Sequence, residues 1–145
     1  MLQAIISAYR SRLLPVEPSD QSERFGSRQT TTIAPICLVP NARVALSDEI
    51  GSLLIARISV IVVGERPGLS AADSLGIYMT YNPNPANTDA ERNCISNIRP
   101  PEGMSCRDAA SKLLYLSEQA LQRRISGVPL KDDMPAIQSL NSDLA

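Results

Sequence analysis

Short apolar runs alternate along the chain with polar, proline-broken stretches. Residues Leu2 to Leu14 place Ile5, Ile6, Tyr9 and Leu13 on one face of a predicted helix. From Pro15 to Thr32 the apolar signal gives way to Pro, Ser, Gly and Thr, which predicts a long loop or linker. Ile33 to Val39 is strand-like, although Pro35 argues for an edge position or a late start. Ser47-Asp48-Glu49 opens a short predicted helix, with Ser47 as N-cap and two acids meeting the helix dipole. Ile50, Leu53 and Leu54 are spaced to pack on one side of it. Ile58 to Val63 is almost continuously apolar and β-branched, the pattern of a strand buried on both faces of a parallel sheet.

Ile77 to Tyr81 is a second strand candidate, closed by Asn82-Pro83-Asn84-Pro85. Thr88 to Glu91 reads as a capped helical turn leading into Arg92–Ile98, and Cys94 to Asn97 as a loop or helix edge. The clearest helix follows. Ser105 caps it, Asp108 sits three residues on, and Ala109, Leu113, Leu116, Ala120 and Leu121 form its apolar stripe. Arg123 and Arg124 suit its last turn, and Gly127 suits the residue just beyond its end. A helix feeding a β-branched strand is half of an α/β unit. The expected fold is therefore α/β, a Rossmann-like sheet with predominantly parallel strands covered by helices.

Composition narrows the chemistry. The 145 residues are 43% hydrophobic but only 3% aromatic, so the core is aliphatic. Formal net charge is -1, which gives no electrostatic case for nucleic-acid or membrane binding. No segment approaches the roughly 20 apolar residues that span a bilayer. There is no histidine, so no Ser/His/Asp triad, Cys/His dyad or imidazole metal site arises from this chain alone. Three cysteines without a CxxC pair, and no basic-then-apolar leader, suggest a reduced, cytosolic protein.

Three segments could carry a site. Gly64-Glu65-Arg66-Pro67-Gly68 ends the apolar strand in two charges flanked by glycines, where open α/β sheets bind ligands. As a bland alternative it is a tight turn with a surface ion pair, and it lacks the Lys-Ser/Thr of a phosphate loop. Asn41-Ala42-Arg43-Val44 follows the first predicted strand and falls at the same kind of position, unless it is only a loop with a solvated arginine. Cys94-Ile95-Ser96-Asn97 offers a thiol. No histidine activates it, and an inert cysteine is the commoner outcome. Loops converging on one sheet edge would form a wide cleft suited to a large ligand or an interface.

Val63-Gly64-Glu65-Arg66-Pro67-Gly68-Leu69, Asp73-Ser74-Leu75 with Tyr78, Asp89 through Ile98, and Ser126-Gly127-Val128 together resemble the small (light) subunit of ethanolamine ammonia-lyase. The resemblance covers about Ile36 to Lys131. It implies an adenosylcobalamin (coenzyme B12) lyase that converts ethanolamine to acetaldehyde and ammonia, its cofactor supplying an adenosyl radical. The small subunit helps hold that cofactor against the large subunit, which carries the substrate residues. Cobalamin contacts carried over by motif fall on Val44, Glu65 and Cys94, with Arg43, Arg66 and Asn97 as weaker supporting candidates. The family's cofactor stays base-on, and a chain without histidine cannot replace the lower cobalt ligand. The resemblance further implies a hetero-oligomer, inactive without the large subunit, in the cytoplasm or a bacterial microcompartment.

On this reading residues 1–32 are an N-terminal helix and polar linker, 33–131 the cobalamin-binding domain, and 132–145 a flexible tail. Family members are longer, and their amino-terminal half has no counterpart here, so apolar sheet edge and helix surface are expected to seek a partner. The rival reading is a non-catalytic scaffold or assembly module that has lost the cofactor.

Overall fold

A computed structural model describes residues 1, 3, 5–7, 32–64 and 73–134. Its elements are helix α1 (Leu46–Leu53), strand β1 (Ile58–Gly64), strand β2 (Leu75–Tyr81), a 3-10 turn (Asp89–Glu91), strand β3 (Arg92–Ile98) and helix α2 (Cys106–Arg123). The strands form a meander in the order β1-β2-β3, and both pairings are antiparallel. This overturns the Rossmann-like parallel sheet. Residues 65–74 return the chain from Gly64 to Leu75, directly opposite. A parallel return needs a crossover of a dozen or more residues, usually helical.

The register sorts the side chains onto two faces, because strand side chains alternate. Ile58, Val60 and Val62 of β1 share a face with Leu75, Ile77, Met79 and Tyr81 of β2 and with Ile95 of β3. Helix α2 covers β2 and β3 on that face. Ile77, Met79, Ile95 and Ile98 meet Ala109, Leu113, Leu116 and Ala120 there, with Leu130 closing one side. Each fully buried aliphatic side chain contributes about 1.5–3 kcal/mol, so this single cluster dominates the stability of the described region. Its character is aliphatic, as composition required.

Helix α2 begins where the sequence predicts. Ser105 is extended (φ -69°, ψ 154°), and its Oγ accepts from the Asp108 N–H at 3.1 Å. The helix stops at Arg124, whose φ of 58° is left-handed. Gly127 is therefore not its terminator and has a separate task. Its φ is +73°, and a Cβ there would lie 2.0 Å from the Ala90 carbonyl oxygen. Around it, Asn93 Oδ1 accepts from the Gly127 N–H at 2.7 Å, and the Ser126 hydroxyl donates to the Glu91 carbonyl at 2.6 Å. Ser126-Gly127-Val128 is a clasp holding the chain beyond α2 onto the start of β3.

Other expectations are corrected. Ile33–Val39 forms no strand, and Ile33, Ile36, Leu38 and Val39 are exposed. The N-cap of α1 is Ala45, not Ser47, and α1 packs through Ser47, Asp48 and Gly51 while Leu53 and Leu54 are exposed. Small residues permit that contact, since a Cβ on Gly51 would fall 2.6 Å from Pro83 Cγ and 2.9 Å from Ser59 Cβ. Cys94–Asn97 lies in a strand, because Ile95 and Ile98 are drawn into the core beneath it. Gln3 and Ile5–Ser7 are helical, as expected, and Met1 and Ile5 touch the core. The linker to Thr31, most of the tail and residues 65–72 lie outside the described residues.

Candidate functional site

Helix α1 sits on the face opposite α2. Its first turn is anchored by backbone geometry. The Val44 carbonyl accepts from the Ser47 N–H at 3.1 Å and from the Ser47 hydroxyl at 2.9 Å. Val44 is half-buried and Arg43 exposed. One turn on, the Asp48 side chain is buried against β3. Arg92 donates to Asp48 Oδ2 through Nη2 at 2.6 Å and through Nε at 2.9 Å. Ser59 Oγ of β1 donates to Asp48 Oδ1 at 3.3 Å. Arg92 also donates to Asp89 Oδ1 at 2.7 Å and to the Asn87 carbonyl at 3.0 Å. The Asp48 and Arg92 side chains retain 1% and 6% of their exposure. Burial works to lower the Arg92 pKa, but the hydrogen bonds and charges of Asp48 and Asp89 outweigh it and hold the guanidinium above its ordinary value. Removing either partner of such a pair costs about 3–5 kcal/mol, because a lone buried charge remains.

Cys94 stands two residues beyond Arg92 and so on the same face of β3, exposed to solvent. Its cross-strand neighbour is Tyr78, and Tyr78 in turn faces Ile61 of β1. The free thiols Cys37 and Cys106 lie apart from it, one in the unpaired segment and one at the start of α2. Past Cys94 the register slips: Ile77 pairs with Ile95 but Leu75 with Ile98, so β3 carries an extra residue. That bulge contains Asn97 at φ 56°, a conformation asparagine tolerates better than most residues. Asn97 receives the Met104 N–H at 2.8 Å on its carbonyl, and Gly103 crowds it so closely that a Cβ would lie 2.4 Å from that oxygen. The asparagine of the Cys-Ile-Ser-Asn run thus has a backbone role.

Glu65 and Arg66 lie outside the described residues, but Gly64, to which they attach, is placed. It pairs with Leu75, and Leu75 pairs with Ile98, so the Gly-Glu-Arg-Pro-Gly segment leaves the sheet at the end where the bulge sits. Arg99, which sequence reasoning did not single out, marks the same end. Its Nη1 lies 3.6 Å from Asp73 Oδ1, and its buried Nε has no hydrogen-bond partner among the described residues. Of the predicted strand-end loops, the one carrying Val44 follows no strand and Cys94 lies within β3. Arg92, Cys94 and Asn97 follow one another along β3 instead, from the first turn of α1 toward the end where Gly64 lies. At about 3.3 Å per residue this line is on the order of 20 Å long.

Asp48 and Arg92 were missed as a pair. Asp48 reads as a first-turn acid meeting the helix dipole, and nothing local reveals a partner 44 positions away. Among the described residues no three His, Cys, Asp or Glu side chains gather as a metal site, and no helix is long and apolar enough to cross a membrane.

The profile of the family described as "Ethanolamine ammonia-lyase light chain (EutC)" matches residues 19–131. The chain belongs to the ethanolamine ammonia-lyase light-chain family. Over 102 residues it is 61% identical to the ethanolamine ammonia-lyase small subunit of Azotobacter vinelandii, covering 70% of this chain and 37% of that one. The small subunit of Pseudomonas fluorescens SBW25 is 55% identical over 112 residues, 77% of this chain and 40% of its own length. That of Xanthomonas campestris is 49% identical over 114 residues, 79% and 42%. This light-chain homologue spans about two fifths of the length of the curated relatives it matches.

Proposed function

We propose that this light-chain homologue forms part of the cobalamin-facing surface of an adenosylcobalamin-dependent ethanolamine ammonia-lyase, converting ethanolamine to acetaldehyde and ammonia together with a large subunit. Val44, Glu65 and Cys94 contact the cofactor. Arg43, Arg66 and Asn97 support them. The large subunit completes the site and supplies the substrate residues, and the assembly works in the cytoplasm or a bacterial microcompartment.

The observation that supports this reading most is the shared side of the sheet. The turn carrying Val44 and the strand carrying Cys94 are joined through Asp48 and Arg92. Glu65 departs from the far end of the same sheet, one residue past Gly64. A corrin is a broad, flat ring with apolar faces and an amide rim. The residues present suit it: half-buried Ile61 and Tyr78 beside an exposed thiol, with a backbone turn at one margin. This chain has no histidine that could serve as a ligand to the cofactor's cobalt. When bound, the cofactor supplies the radical chemistry. The residues of this chain bind and orient it.

The test combines the chain with large subunit, adenosylcobalamin and ethanolamine, and measures acetaldehyde. The expected result is activity above that of large subunit alone, and no gain would refute the reading. The scaffold alternative draws on the short span relative to the curated relatives. Glu65→Ala separates the two. If the chain holds cofactor, the variant weakens the cobalamin absorbance change with its circular dichroism intact, whereas a scaffold is indifferent to it.

A further inference from the structure

We infer that the Asp48–Arg92 ion pair is the positioning strut of this surface, fixing the turn that carries Val44 against the strand that carries Cys94. The inference rests on the proposed cofactor role and adds two residues to it. Neither touches the cofactor. Both are buried, and their bonds bridge α1 and β3 across the edge of β2 nearest Thr80, which pairs with Arg92.

Three observations assign them this task. Val44 is rigidly tied to Asp48, since its carbonyl accepts twice from Ser47 and the Asp48 N–H donates to Ala45 at 3.1 Å. Arg92 is rigidly tied to Cys94 as the next residue on the same strand face. Between these two rigid pieces, Arg92 makes a two-point grip on one carboxylate oxygen, and Asp89, the Asn87 carbonyl and Ser59 bind further atoms of the same two side chains. A fork held at this many points fixes direction as well as distance. An apolar contact in the same place would glue the helix to the sheet without fixing the turn. The fully buried residues of α1 are Ser47, Asp48 and Gly51, while its apolar Leu46 and Ile50 are only half-buried. Polar geometry therefore sets the placement of Val44.

The experiment uses the full chain with large subunit and adenosylcobalamin, without ethanolamine, and reads the absorbance change of the cofactor. Arg92→Lys keeps the charge and loses the fork. The double variant Asp48→Asn/Arg92→Gln removes both charges and leaves none buried alone. Both are titrated well below their melting temperatures. The expected result is binding weakened about tenfold or more, with the wild-type spectrum restored at saturation and circular dichroism unchanged. A merely structural contact lowers the melting temperature and leaves the titration midpoint where it was. Wild-type affinity in a folded variant overturns the strut alone, while no absorbance change with the unaltered chain overturns the cofactor reading beneath it. Amide exchange on the unaltered chain needs no variant. Cofactor is expected to protect residues 43–48 and 92–96 together, and protection of only one segment overturns the inference.

Discussion

Two residues hold backbone conformations that their side chains decide. Gly127 is left-handed and pressed on the Ala90 carbonyl. Gly127→Ala is expected to destabilise the chain by roughly 2–4 kcal/mol, from strain and clash together. Thermal melts followed by circular dichroism should show Tm falling by more than about 8 °C. Ile55 is the opposite case. It ends α1 at φ 52°, with its N–H on the Ser52 carbonyl and the Ala56 N–H on the Gly51 carbonyl, in the place where helices prefer glycine. A β-branched residue resists this conformation, and at 90% exposure Ile55 gains little burial in return. Ile55→Gly should stabilise by about 0.5–1 kcal/mol, seen as a higher urea midpoint with an unchanged slope. The sequence reading placed Gly127 just past the end of α2, and its actual role against Ala90 was not legible. The clasp closes on Ala90 from 37 positions away, and no local pattern encodes that distance.

At the scale of elements, α2 shows what sequence reads well. Its stripe, cap and basic last turn are local features, and all three are realised. Ser105→Ala removes the acceptor of the Asp108 N–H and should cost about 1 kcal/mol, whereas Ser105→Asn should cost little. Paired thermal melts of the two variants check this. The capping box before β3 was legible for the same reason. Thr88 and Glu91 bond reciprocally, and the hydrogen bonds from the Thr88 backbone and hydroxyl hold the Glu91 carboxyl below its ordinary value. Strand β3 was not legible. Arg92-Asn93-Cys94-Ile95-Ser96-Asn97-Ile98 has two aliphatic residues three apart, which fits a helix edge, and only the bulge at Asn97 lets both point into the core. Helix α1 misled through Leu53 and Leu54, whose apolar character is spent on the surface.

For the whole molecule, the error in fold class has a traceable source. The run Ile58–Val63 looks like an interior parallel strand, yet it is the outer strand among the described residues, with Val60 37% exposed. What the run could not reveal is the direction of its neighbour. The connection could have revealed it, since residues 65–74 contain Pro67 and Gly68 and are too few for a crossover helix. Motifs alone single out Val44, Glu65 and Cys94 as the proposed cofactor contacts. The framework was not legible, because Asp48 and Arg92 meet only after two sheet pairings are made.

The meander has a kinetic corollary. Each strand bonds to the next in sequence, so the sheet zips from neighbouring hairpins and closes only short loops. These hairpin contacts, being the most local of the sheet, are expected to form first. The slowest structural event should then be seating α1 and the 126–130 segment, the two pieces that must find β3 from a distance. A polypeptide with this layout can assemble its sheet early and await whatever surface later covers it.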